Sequence, residues 1–113
     1  MTQATEKQAA YINTLTDGHR VGIQSDWAMN GYRNPQRKAL KARYGSDRLW
    51  DLTSEELAQE WADTVNGVLA YLDEIDQSAQ GMSTVEASAM IDSLKDGRNN
   101  NIVHMYWVKV GVL

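Results

Sequence analysis

Apolar residues recur at steps of three and four along most of this chain, a spacing that predicts helices. The strongest run is Leu57, Trp61, Val65, Val68, Leu72 and Ile75, a continuous stripe on one side of a long helix. Thr53 and Glu56 precede it as a capping pair, in which hydroxyl and carboxylate satisfy the orphan amides of a helix start. Glu55 and Glu56 also sit at the positive end of the helix dipole. Asn66-Gly67 is a point of weak helix propensity where a kink is expected, and Ser78 to Met82 reads as a short linker.

Three further helices follow from similar signals. The first is expected from Thr5 to Thr16, with Ala9, Ile12 and Leu15 buried and Asp17-Gly18 as its stop. Another begins at Asn34-Pro35, where the missing proline amide costs nothing, and ends at Tyr44-Gly45. On it Ala39, Leu40, Arg43 and Tyr44 share a face, while Arg37, Lys38 and Lys41 point elsewhere. The last spans Thr84 to Lys95, with Val85, Ala87, Met90, Ile91 and Leu94 available for burial and Gly97 beyond it. In the stretch from His19 to Tyr32, Val21-Gly22-Ile23 fits a short strand. Ser25 to Met29 fits a helical turn, and Asn30-Gly31 is a turn signal. Trp27 and Tyr32 are expected on the core.

The tail from Ile102 to Leu113 is rich in β-branched and aromatic residues and reads as a strand. An unpaired apolar edge invites aggregation, so its partner would be the Val21–Ile23 region or a second copy of the chain, making a homodimer. The expected fold class is mainly α, a compact four-helix domain with a short C-terminal β element, one domain over residues 1–113. Its core is expected to hold Ile12, Leu15, Leu40, Leu57, Trp61, Val65, Leu72, Ile91 and Leu94.

Composition narrows this picture without changing it. A chain of 113 residues with 42% hydrophobic content, four Trp and five Tyr can fill a core unaided by metal or disulfide. It has no Cys, which excludes both a disulfide framework and a thiolate metal site. Met1 runs into polar residues rather than a basic and apolar leader, so no secretory signal is expected. No apolar run approaches the roughly 20 residues that span a bilayer. The expected location is the cytoplasm, that of a host cell if the chain is phage-encoded.

The charges are unevenly spread. Between Arg33 and Arg48 lie six basic residues (Arg33, Arg37, Lys38, Lys41, Arg43, Arg48) against one acid, Asp47. Between Asp51 and Asp76 lie eight acids (Asp51, Glu55, Glu56, Glu60, Asp63, Asp73, Glu74, Asp76) and no base. Such polarity marks either two partner-facing surfaces or two neighbouring elements that neutralise each other.

Two short helix starts carry a resemblance. Thr5, Lys7 and Gln8 followed by Ile12 and Leu15, together with Glu86, Ala87, Ser88, Ile91, Asp92, Leu94 and Lys95, resemble a small helical module of phage-associated and actinobacterial proteins. There an N-terminal Thr-x-x-Gln helix is paired with a later Glu-Ala-Ser helix. The match covers about a fifth of the chain. The basic segment, the long acidic helix and the apolar tail lie outside it. The module often stands alone or is attached to exonucleases and helicases, so the resemblance implies a phage or mobile-element setting and assigns no residue a role.

Reactive constellations are absent from the sequence. His19 and His104 lack the i, i+4 partner of a helical metal site, so no metal or other cofactor is expected. His104 reads as a partly buried structural residue. The eight Gly are scattered and form no phosphate loop. The leading expectation is a non-catalytic interaction protein that acts on nucleic-acid-processing machinery through a protein partner. An inhibitor of a host nuclease or CRISPR-type complex is one such form. Its partner-binding residues would be Glu55, Glu56, Glu60, Asp63, Asp73, Glu74 and Asp76, an acidic surface suited to a basic groove. The alternative is an accessory protein that binds DNA or RNA directly through Arg33, Arg37, Lys38, Lys41, Arg43 and Arg48, with Tyr32, Tyr44 and Trp50 as stacking platforms. A third reading is a small hydrolase with paired carboxylates, a site between Glu60, Asp63 and a distant acid.

Overall fold

The computed structural model describes residues 5–24, 29–49, 51–95 and 102–113, with side chains throughout except at 29–34, 47 and 49. Helices α1 (Glu6–Gln24), α2 (Met29–Tyr44), α3 (Ser46–Leu49), α4 (Ser54–Ser78), α5 (Thr84–Lys95) and α6 (Ile102–Lys109) follow in order, and a 3₁₀ turn, Ala79–Gly81, joins α4 to α5. Among the described residues there is no β-strand, and none of the helices is long and apolar enough to cross a membrane.

The 25-residue α4 is the axis of the molecule, about 37 Å long at the α-helical rise. The whole chain measures 50 × 25 × 21 Å, elongated along one direction rather than compact. Thr53 caps α4 by accepting from the Glu56 amide, and Glu56 answers by accepting from the Thr53 amide. The same reciprocal pairs start α1 at Thr5 and Gln8 and α5 at Ser83 and Glu86.

Helix α1 runs antiparallel to α4, since Thr16 meets Asp76 while Arg20 reaches back to Asp73. It runs parallel to α5, with Gln8 beside Thr84 and Ser88 and His19 beside Leu94. On the other side of the axis α6 lies parallel to α4, with Tyr106 against Gly67 and Lys109 paired with Glu74. The core joins Ala9, Ile12, Ile23, Ala39, Val68, Leu72, Ile75, Ala87, Leu94, Ile102, Val103 and Trp107. Leu15, Trp61, Val65 and Ile91 pack against it half-buried. Leu40 is buried as expected, but Leu57, on the first turn of α4 ahead of the Glu60 and Trp61 contacts, is 39% exposed.

Several expectations are corrected. Helix α1 does not stop at Asp17-Gly18, and Val21–Ile23 is helical rather than a strand. A mid-helix glycine costs only about 1 kcal/mol, and continuing the helix buries Ile23 and brings Arg20 to α4. Helix α2 starts at Met29, so Asn30-Gly31 is helical rather than a turn and Pro35 lies inside the helix. Proline there forfeits one backbone hydrogen bond, while Pro35 and its neighbours Gln36, Ala39 and Leu40 are buried. Val85, expected to be available for burial, is exposed. Trp27, Trp50 and the side chain of Tyr32 lie outside the described residues.

The largest correction is the tail. Ile102 to Lys109 forms a helix and not a strand, which removes the expected strand-mediated homodimer. Its β-branched residues lose only a few tenths of a kcal/mol each in a helix. Burying a large apolar side chain returns about 1.5–3 kcal/mol. Ile102, Val103 and Trp107 are all buried, so packing decides the conformation. Gly111 at φ 84° then closes α6. The Val112 amide donates to the Trp107 carbonyl and the Gly111 amide to that of Val108, a Schellman cap. Gly67 produces no break in α4, because its role is contact: a Cβ at this position would overlap the Tyr106 ring.

Candidate functional site

Among the described residues, the two charged regions meet at a single ion pair. Arg43, on the inner face of α2, donates to Glu60 on α4 at 2.8 Å, and the Tyr44 hydroxyl donates to the other oxygen of the same carboxylate at 2.5 Å. The Arg43 guanidinium also lies over the Tyr44 and Trp107 rings, 5.3 and 5.9 Å from their centroids. Trp107 in turn donates from Nε1 to buried Gln36 at 3.2 Å. Arg43 thus belongs to the packing of α2 on α4 and α6. The arrangement holds the Tyr44 phenol above its ordinary range, first through the hydrogen bond to Glu60, then through burial and the Glu60 charge, against the opposing charge of Arg43.

That shift has a testable consequence. A phenol held protonated by the fold stabilises the protein below its unfolded value of about 10 and loses that contribution as pH rises through the folded value. In an alkaline absorbance titration, Tyr44→Phe is expected to remove one late-titrating phenol. Loss of a phenol that titrates with the ordinary tyrosines would contradict the Tyr44–Glu60 bond. Tyr71 also titrates late, because burial raises it more than nearby Lys109 lowers it.

The other end of α4 is neutralised from outside the basic segment. Arg20 of α1 pairs with Asp17, Asp73 and Asp76 at 2.6, 2.8 and 2.5 Å. Its guanidinium is held charged above its ordinary range, chiefly by Asp76. Thr16 is fully buried and donates to the second Asp76 oxygen at 2.6 Å. Lys109 of α6 pairs with Glu74 and sits 4.8 Å from the Tyr71 ring centroid.

The acidic candidates therefore divide. Glu60, Asp73, Glu74 and Asp76 are engaged inside the fold, and Glu56 is a capping residue. Asp63 accepts from Gln59 of its own helix at 2.9 Å. Glu55 is exposed at the start of α4.

The basic candidates divide the other way. Arg37, Lys38 and Lys41 are exposed on the outer face of α2, Arg48 is exposed at the end of α3, and none of them forms an ion pair among the described residues. Arg37 and Lys41 lie one turn apart, about 6 Å along the axis, with Lys38 beside them. Arg33 occupies the helical position one turn earlier, and its side chain lies outside the described residues. No acidic residue interrupts this face, since α2 contains neither Asp nor Glu.

The histidines have structural surroundings. His19 Nε2 lies 2.8 Å from the Leu94 carbonyl, so that nitrogen carries a proton and donates. His104 is half-buried, on a helix rather than the expected strand. No group of three His, Asp or Glu among the described residues stands close enough to hold a metal ion.

Sequence reasoning missed one connection. Gln8 accepts from the Thr5 amide through Oε1 while its Nε2 donates to the Thr84 carbonyl at 3.2 Å and to Ser88 Oγ at 3.1 Å. The two motifs that carry the resemblance are thus clasped to each other and hold α1 against α5. No protein-family model matches the chain, and no curated protein or solved structure matches it, so its function is argued from its own residues.

Proposed function

We propose that this chain is a non-catalytic interaction protein whose contact surface is the cationic outer face of α2, formed by Arg37, Lys38 and Lys41, with exposed Arg48 of α3 following it in the chain. It serves against an anionic partner belonging to nucleic-acid-processing machinery. The observation that carries this reading is the division of the charges. Arg20, Arg43 and Lys109 are held by carboxylates, whereas Arg37, Lys38, Lys41 and Arg48 are exposed and, like the isolated Lys7 and Lys95, form no ion pair among the described residues, in a protein of net charge −4. Unpaired cations clustered on one face, in a chain with an excess of acids, form a local positive field that steers an anionic partner to that face. The acidic surface gives weaker support to a basic partner, because four of its seven residues are already engaged.

Retention on a sulfated polyanion resin at low salt tests the proposal. The wild-type chain is expected to be retained despite its negative charge, and Lys38→Glu/Lys41→Glu to pass through. Equal behaviour of the two proteins would overturn the reading. Both positions are exposed, so the variant is expected to keep the wild-type circular dichroism.

A further inference from the structure

The cationic face has a second property that selects its partner. Protein–protein interfaces place a desolvated apolar or aromatic cluster at their centre and confine charge to the rim. Among the described side chains the exposed large apolar residues are Tyr11, Val21, Leu57, Val85, Val108, Val110 and Leu113, and none belongs to the described part of α2 or of α3. Between Gln36 and Gly45 the outward positions are Arg37, Lys38, Lys41 and Ala42, with Arg43 turned toward Glu60 and Tyr44 half-buried against the same carboxylate. Among the described positions this face presents long cationic side chains around one alanine and no apolar anchor for a protein. It has what a phosphodiester backbone requires.

We infer that this face binds the phosphate backbone of double-stranded nucleic acid, without reading its sequence. The inference rests on the functional reading above and adds the class of partner. Arg37 and Lys41 are separated by about 6 Å of helix, and the duplex, both strands counted, carries a charge every 1.7 Å or so of its axis, a density that keeps phosphates within reach of both side chains. A single strand offers half that axial charge density. It relies on aromatic stacking for the remainder, and Tyr44 is committed to Glu60. Four contacts are few, so binding is weak at physiological salt and strengthens steeply as salt is removed.

The test is fluorescence anisotropy with three labelled probes: a short DNA duplex, one of its strands, and polyglutamate. The duplex is expected to bind tightest. Four phosphate contacts give a log–log salt slope of about −3.6, roughly a 100-fold loss of affinity between 50 and 200 mM salt. Neutralising two of them in Lys38→Gln/Lys41→Gln is expected to lower the slope by about 2, while Lys95→Gln on α5 leaves it unchanged. If the sulfated resin retains the protein but the duplex does not bind, the inference fails and the broader reading stands. Polyglutamate binding as tightly as the duplex makes the partner an acidic protein, and a single strand binding tighter than the duplex also overturns the inference. Loss of resin retention as well removes both.

Discussion

Truncating Leu72 to alanine is expected to cost about 2–5 kcal/mol, whereas the same change at Leu57 costs under about 1 kcal/mol. Both leucines lie on the apolar stripe of α4, and the sequence pattern does not separate them. The structure does: Leu72 is fully buried where α4 meets the other helices, and Leu57 is 39% exposed before that contact begins. Urea unfolding measures the difference, with unchanged m values certifying that both variants keep the same folded and denatured states. Equal costs would mean that Leu57 is packed as Leu72 is.

The second large effect is electrostatic. Arg20→Met keeps the aliphatic stem but removes the guanidinium that holds Asp17, Asp73 and Asp76 together. Asp76 then remains beside buried Thr16 with no cation. Breaking a buried pair from one side costs about 3–5 kcal/mol, and here roughly 2–3 kcal/mol is expected because water still reaches both groups. Adding Asp76→Asn to Arg20→Met is expected to recover part of the loss, since the two residues are coupled. A cost below about 1 kcal/mol for Arg20→Met alone would show that the cluster is a solvated surface network.

The elements whose local and tertiary signals agree were legible in the sequence. Helices α4 and α5 begin where their capping pairs place them, and α2 ends at Gly45 as its stop residue predicts. The failures share a cause, which is that a local signal was allowed to outweigh a tertiary one. Gly18 looked like a stop because nothing in the sequence shows that Arg20 meets Asp76 across α4. Pro35 looked like a start because the burial of its own helix face is a property of the folded chain. The β-branched composition of the tail points to a strand, whereas the i, i+1, i+4 and i+5 spacing of Ile102, Val103, Tyr106 and Trp107 points to the helical face that the fold buries.

The charged surfaces were legible as residues but not as surfaces. Every basic and acidic candidate was visible in the sequence. Which of them the fold consumes depends on Arg20, Arg43 and Lys109, which come from three different helices. The unpaired set is what remains after that subtraction. Gly67 belongs with these cases, since its small size matters only because Tyr106 lies against it.

Mapping backbone amide shifts while a short DNA duplex is added at low salt tests this division of charge most directly. Shifts concentrated on residues 37–48, with the amides around Asp73, Glu74 and Asp76 unmoved, are the expected result. Shifts centred on the acidic turns of α4, or none on α2, would contradict it.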